Sequence, residues 1–240
     1  MKSINFKELI KGIIVIGAYF VLPYILVIPL IFLTFKKRLI SNEISTLILY
    51  LALATIFVVY YRKDLLANLK GFKKEYKFIL KTSLKYWGLG FLAMYVSSLL
   101  IQLLHLPEVA NQEENIQLLK QYPIVEFILA GFFAPLIEEL VFRRSLVKAT
   151  TNKHLYAFTT GIIFALIHIT TSLSEGPLML LYVIPYASLG VAFGYAYYKT
   201  KNIFGTMIVH SLHNLITLTL MFILIKGGLM WEKKKRKLDM

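Results

Sequence analysis

The stretch FFAPLIEELVFRRSL at 132–146 places two adjacent glutamates, Glu138 and Glu139, within an apolar run. An ionisable side chain near the centre of a bilayer costs about 2.5–3.5 kcal/mol on insertion scales, so each one suggests a function. In a helix, Glu139 and Arg143 share a face at i,i+4 and can form an ion pair, whereas Glu138 points about 100° away. One glutamate can therefore be the structural partner of an arginine while its neighbour stays free to react.

Two later stretches carry further polar residues within apolar runs. The sequence FALIH places Phe164 and His168 on one helix face, and HSLHN places His210 and Asn214 one turn apart. A glutamate with a histidine can deprotonate water, and an imidazole with a carboxamide can donate hydrogen bonds to a developing oxyanion. If three helices bring these groups together with Glu138, the chemistry that they predict is hydrolysis of a peptide bond.

The same residues leave the cofactor open. Glu138, His168 and His210 could hold a zinc ion, because a glutamate with two histidines is a known catalytic ligand set. Asn214 is a poor zinc ligand and fits the oxyanion role better. The residues therefore allow either one divalent metal such as zinc or activation of water without a cofactor.

The elements that must position these residues are membrane helices. Of the 240 residues, 58% are hydrophobic, and the mean hydropathy is +0.66, far above that of a soluble domain. We expect an all-α, polytopic transmembrane helical bundle of about 7–8 helices with an intramembrane catalytic cavity. The absence of cysteine excludes disulfides and thiolate chemistry. Apolar runs of about 20 residues fall near 12–35, 43–61, 84–104, 124–142, 156–174, 178–198 and 203–225.

Charge predicts the orientation of the bundle. The net charge is +14, and residues 62–85 are strongly basic whereas the connection around 105–123 carries Glu108, Glu113 and Glu114. By the positive-inside rule, the first segment is a cytoplasmic loop and the second lies outside. Two basic stretches do not fit simple alternation of the spans: Lys36, Lys37 and Arg38, and the tail EKKKRKL at 232–238.

Three regions follow from this pattern. Residues 1–123 hold about three N-terminal spans with the basic loop, 124–225 hold the catalytic helices, and 226–240 form a basic tail. Glu126 and His105, at the ends of spans, are set aside because water or headgroups can solvate them, and so is His154 in a basic loop. Pro135 cannot donate a helical hydrogen bond, so we expect the helix to bend or begin three residues before Glu138.

The three motifs together resemble the CAAX-processing and bacteriocin-processing family of intramembrane proteases (CPBP or Abi), which includes the Ras-converting prenyl-protein endopeptidases. The family signature is EExxxR, then FxxxH, then HxxxN or HxxxD on successive helices, and the resemblance covers roughly 124–220. The matching residues are Glu138, Glu139, Arg143, Phe164, His168, His210 and Asn214.

The resemblance implies about eight transmembrane helices around a conical cavity that is reached from the cytosolic side and from the lipid. It implies that Glu138 activates water with His168, while His210 and Asn214 steady the oxyanion. By the same match, Glu139, Arg143 and Phe164 support the site. The family has been described both as glutamate-dependent and as metal-dependent, so the resemblance leaves the metal open as well.

The resemblance also indicates partners. It implies a peptide or lipid-modified protein substrate within the lipid bilayer, and we expect no nucleic-acid partner. The composition favours a low-GC Gram-positive bacterium and its plasma membrane, so we favour a pheromone or bacteriocin leader peptide over a prenylated CAAX protein. The alternatives are a non-catalytic membrane scaffold or bacteriocin self-immunity protein, and a proton- or cation-coupled transporter. A transporter predicts an internal repeat, and none is visible in the sequence.

Overall fold

The computed structural model of the chain describes residues 4–33, 41–107 and 109–238, and these residues contain helices and no β-strand. Two π-helical segments, Leu129–Phe133 and Glu139–Arg144, flank the short helix α6, and the 3-10 segments Thr170–Glu175 and Pro177–Tyr182 join α7 to α8. The predicted all-α class is confirmed. The α-helices are α1 (Phe6–Ile31), α2 (Asn42–Tyr60), α3 (Arg62–Leu103), α4 (Ala110–Gln121), α5 (Pro123–Ile128), α6 (Ala134–Glu138), α7 (Lys153–Ile169), α8 (Val183–Thr200) and α9 (Ile203–Leu238).

Six of the described helical stretches are long and apolar enough to cross a membrane. Their outer faces carry large apolar side chains, such as Ile14, Ile28 and Leu224, which are 64%, 67% and 74% exposed. A hydrocarbon environment covers such surface without cost, so the bundle is that of a multi-pass membrane protein. The six stretches are Phe6–Ile31, Asn42–Tyr60, Arg62–Leu103, Lys153–Glu175, Pro177–Thr200 and Ile203–Gly228.

The span predicted at 124–142 is not one regular helix. It is a run of short α and π segments from Pro123 to Arg144. Pro135 lies in the first turn of α6, directly after the π segment that ends at Phe133, so an α-helical segment begins there, as the prediction allowed. Irregular backbone at membrane depth is tolerated where it lines a cavity, and π segments are frequent at functional sites.

Two connections predicted as loops are largely helical. Residues 62–85 belong to α3, which is kinked at Glu75 (φ −125°, ψ 23°). Most of the connection at 105–123 forms α4. Helix α9 continues from the last predicted span into the basic tail as far as Leu238. The other basic stretch that did not fit the predicted alternation of spans consists of Lys36, Lys37 and Arg38. It lies outside the described residues, as does Glu108.

One end of the bundle gathers several basic segments, but not the basic tail of α9. The backbone amide of Asn5 donates to the carbonyl of Ala149 over 2.8 Å, and Arg144 pairs with Asp64 at 2.5 Å. Asn202, after α8, donates to the backbone of α3 over 2.7 Å. We call this the basic end. It consists of residues 4–11, 61–85, 143–153 and 199–202.

The other end is built from the connections that follow α3 and α7. The amide of Ala110 donates to the Ser172 hydroxyl over 2.7 Å, and the Tyr182 hydroxyl donates to the carbonyl of Pro107 over 2.9 Å. Helix α4 therefore lies across this end, next to the 3-10 segments. We call it the α4 end, and it consists of residues 103–107, 109–123 and 170–182.

Small residues let α7 and α8 approach closely near the basic end. A β-carbon on Gly190 would lie 2.8 Å from the α-carbon of Gly161, and one on Gly194 would lie 2.8 Å from the α-carbon of Ala157. Such small-xxx-small pairs are a common way for membrane helices to pack backbone against backbone. The approach leaves the carbonyl of Gly190 facing the neighbouring helical run that carries the two glutamates.

Candidate active site

The two adjacent glutamates have different surroundings. Glu139 is fully buried, and its Oε1 lies 3.6 Å from Nη1 of Arg143 and 3.0 Å from Nδ1 of His210. Glu138 instead keeps 12% of its side chain exposed, and its Oε2 lies 3.6 Å from Nε2 of His210. The predicted i,i+4 ion pair is therefore present, and Glu138 is the glutamate left facing open space.

His210 lies between the two carboxylates, and its contacts decide where its protons are. The Glu139 carboxylate can only accept a hydrogen bond, so Nδ1 of His210 is the donor in the 3.0 Å contact. Nε2 then faces a second acceptor, the Glu138 carboxylate, at 3.6 Å. These two atoms therefore face each other beside the cavity, at a distance longer than a direct hydrogen bond.

Arg143 is a fully buried cation held mostly by π systems. Its Cζ lies 4.5 Å from the centre of the Phe164 ring and 5.9 Å from that of Phe193, and Nη2 donates to the carbonyl of Gly190 over 3.4 Å. Its own carbonyl accepts a 2.9 Å hydrogen bond from the Tyr156 hydroxyl. The phenylalanine of the second motif thus supports the arginine of the first.

His168 presents one nitrogen to the cavity. Its Nδ1 lies 2.8 Å from the carbonyl oxygen of Phe164, which can only accept, so Nδ1 carries the proton and Nε2 has the free lone pair of the neutral ring. The ring stacks on Tyr186 with the centroids 5.1 Å apart. This arrangement holds His168 in the tautomer that can accept a proton from water.

Asn214 makes a contact that spacing alone does not predict. Its Nδ2 donates to the carbonyl of Ala130 over 2.7 Å. Ala130 lies in the π segment Leu129–Phe133, where the helical hydrogen-bond pattern is irregular. Since a carboxamide has two N–H donors, the second remains available to another acceptor.

A cavity of about 910 Å³ is lined by Glu138, Phe164, His168, His210 and Asn214. The structure therefore brings the residues of all three motifs to one space, while their catalytic roles stay a prediction. From Glu138 the cavity extends to the α4 end, where its lining includes Gln102 of α3, His105 after α3, and Gln112, Glu114 and Asn115 of α4.

Glu138 is also reached from the side of the bundle. A second cavity of about 310 Å³ lies between α1 and α2, and its lining includes Tyr19, Pro23, Tyr50 and Leu53 together with Glu138. The resemblance implied access from the lipid, and this apolar cleft is consistent with it. Glu138 is the only glutamate among the described residues that line both cavities.

Glu126 was predicted to be solvated at the end of a span, and this prediction is wrong. Glu126 is 1% exposed, its Oε1 has no hydrogen-bond partner, and it lines the large cavity. Pro123 begins α5 and places Glu126 in the first turn of this helix. The burial of Glu126 comes from packing with other helices. His154 is exposed and contacts the Tyr195 hydroxyl at 2.5 Å, away from the cavity lining.

The metal alternative finds no ligand set in the described parts of the chain. No group of three His, Cys, Asp or Glu side chains there is close enough to hold a metal ion. Glu138, His168 and His210, the ligands predicted for zinc, nevertheless all line the large cavity. The metal alternative therefore stays a prediction, and the reaction proposed below is written for the side chains.

Comparison with known proteins points to a protease family. The family model described as Type II CAAX prenyl endopeptidase Rce1-like matches residues 120–216, a range that contains all three motifs. Over 151 residues the chain is 30% identical to the UPF0177 protein YxdF of Lactococcus lactis subsp. lactis, a match covering 57% of this chain and 80% of that protein.

In two further relatives, the match covers only about half of the relative's length. An uncharacterized protein of Mycoplasma capricolum subsp. capricolum is 28% identical over 188 residues, which cover 70% of this chain and 53% of that protein. The UPF0177 protein YvdC of Lactococcus lactis subsp. lactis is 28% identical over 141 residues, which cover 58% of this chain and 51% of that protein. The chain thus spans about half the length of both. No solved structure matches the chain significantly.

Proposed function

Because the chain belongs to the CPBP family of intramembrane proteases, we propose that it is an endopeptidase in which Glu138 activates the hydrolytic water. The observation that carries this assignment is the division of labour between the two glutamates. Glu139 is buried against Arg143 and His210, whereas Glu138 faces the large cavity with His210 beside it. A general base must reach water, and Glu138 meets this requirement.

The proposed reaction begins with a water molecule between Glu138 and His168. Glu138 accepts a proton from this water, with Nε2 of His168 as a second acceptor, and the hydroxide attacks the carbonyl carbon of the scissile peptide bond. The carbonyl oxygen becomes an oxyanion, which accepts hydrogen bonds from the free N–H of Asn214 and from the imidazole of His210. The carbon–nitrogen bond then breaks, and Glu138 returns its proton to the leaving amine.

Glu139 and Arg143 have positioning roles in this proposal. The Glu139 carboxylate accepts from Nδ1 of His210 at 3.0 Å and so fixes the orientation of the imidazole beside the cavity. Arg143 balances the buried charge of Glu139 from 3.6 Å. Neither residue belongs to the described lining of the large cavity, so neither has to touch the substrate.

The proposed substrate is a membrane-associated peptide in a bacterial plasma membrane, such as a pheromone or bacteriocin leader, with a CAAX-like protein as the runner-up. The test is processing of a co-expressed leader peptide or lipid-anchored peptide, followed by mass spectrometry. We expect Glu138→Gln to abolish cleavage at normal expression, because the amide keeps the size of the side chain and removes the base. Glu113→Gln, the same change at an exposed position on α4, is the matched control and should cleave like the wild type.

The same assay separates the alternatives. A strong chelator should leave cleavage unchanged if side chains alone activate the water, and loss of cleavage that added zinc restores would establish the metal reading. Equal processing by the wild type and Glu138→Gln would refute the assignment of the base. If no tested peptide is processed by wild-type protein that folds normally, the non-catalytic scaffold or self-immunity reading becomes the better one.

A further inference from the structure

The inference concerns the charge of the peptide that occupies the large cavity, and it depends on Glu126. Among the described residues that line the cavity, none is lysine or arginine, although the chain as a whole is strongly cationic. The lining does include the carboxylates of Glu114, Glu126 and Glu138. Glu126 is 1% exposed, and its Oε1 has no hydrogen-bond partner. A buried carboxylate oxygen without a partner is costly, so a ligand that supplies a donor is favoured there.

We propose that Glu126 forms a subsite for a cationic group of the peptide, either a lysine or arginine side chain or the N-terminal ammonium. The lining offers a free carboxylate for a cation, whereas it offers no cationic side chain to pair with a C-terminal carboxylate. The cavity thus favours cutting within a basic peptide over binding the free C-terminus of a CAAX-type protein. This inference deepens the proposed function and rests on it for the word substrate.

Helix geometry sets the register of this subsite. Glu126 and Glu138 are twelve residues apart on the run of α and π segments from Pro123 to Arg144, which is at most roughly 18 Å at the rise of about 1.5 Å per residue of a straight α-helix. An extended peptide covers about 3.3–3.6 Å per residue. The cationic group should therefore lie about five residues from the scissile bond.

Binding tests the subsite without requiring catalysis. The protein is the Glu138→Gln variant in nanodiscs of zwitterionic lipid, and the probes are a fluorescent apolar 12-residue peptide with one lysine and its twin with glutamine in place of the lysine. We expect Glu126→Gln, added to Glu138→Gln, to weaken binding of the lysine peptide roughly ten- to hundredfold, the range for a charged hydrogen bond, and to leave the twin unchanged. Glu126→Asp should retain the preference for lysine, because it keeps the charge.

If Glu126→Gln weakens binding of the lysine peptide and the glutamine peptide equally, Glu126 only supports the fold. If it weakens binding of neither peptide, the cation binds elsewhere. Either outcome overturns the proposal. A lysine scan of the peptide on wild-type protein adds a test without mutation, since the cut bond should move with the lysine at a separation of about five residues. Failure of cleavage with intact lysine-dependent binding would refute the proposed function and leave the subsite standing.

Discussion

Replacing Arg143 with alanine should remove most of the folded protein from the membrane. Arg143 is fully buried and is the cationic partner of Glu139, which is equally buried. Its guanidinium also packs against the Phe164 ring at 4.5 Å and donates to the carbonyl of Gly190. Alanine removes all three contacts at once and leaves the Glu139 carboxylate with its hydrogen bond from His210 but without a permanent cation.

The expected cost follows from the burial of the pair. Breaking a buried ion pair by removing one partner costs about 3–5 kcal/mol, because the other charge is left uncompensated. Native proteins have roughly 5–15 kcal/mol of stability in total, so this is a large fraction of it. For a chain of this length, such a loss corresponds to a fall in melting temperature of roughly 6–20 °C. Arg143→Lys keeps the charge but loses the planar contact with Phe164, so its cost should be intermediate.

The assay is thermal melting of detergent-solubilised fluorescent fusions by size-exclusion chromatography, together with their abundance in membranes. Lys148→Ala is the matched control, since Lys148 is an exposed cation only five residues along the same segment. Its melting temperature should stay within about 2 °C of the wild type, as surface substitutions usually change stability by less than about 0.5 kcal/mol.

A double substitution separates lost charge balance from lost packing. Arg143→Met with Glu139→Gln removes both buried charges and keeps apolar volume, so it should be more stable than Arg143→Met alone. If Arg143→Ala melts and accumulates like Lys148→Ala, the pair contributes nothing to stability and its assignment as a structural support is refuted. If the double variant is no more stable than the single one, the contacts with aromatic rings outweigh the charge balance.

Two further changes test how the site is supported. Gly190→Ala should lower the melting temperature, because a β-carbon there would lie 2.8 Å from the backbone of α7. Gly88→Ala, whose β-carbon would meet no atom of another helix within 4 Å, should leave the melting temperature unchanged or raise it; equal melting of the two would refute the close packing of α7 on α8. Tyr156→Phe should cost about 1–3 kcal/mol, because it leaves the buried carbonyl of Arg143 without its 2.9 Å hydrogen bond. Tyr24→Phe, on a side chain 76% exposed, is its control, and equal stability of the two tyrosine variants would show that this hydrogen bond contributes nothing.

Much of the site could be predicted from the sequence, because several of its contacts join residues within one helical turn. The pairing of Glu139 with Arg143 depends only on the i,i+4 geometry of one helical run. The contact of His168 with Phe164 likewise spans one turn. Apolar runs of membrane length predicted the helical bundle, since a backbone in hydrocarbon must satisfy its hydrogen bonds internally.

The tertiary structure decided what depends on which helices are neighbours. The bond from Asn214 to the carbonyl of Ala130 joins residues 84 positions apart, and no periodicity within one helix predicts it. The burial of Glu126 and the placement of the cavity mouth at the α4 end arise from packing of α3 and α4 against the other helices. Sequence thus determined which side chains face each other along one helix, and only packing between helices determined which of them share a cavity and at which end it opens.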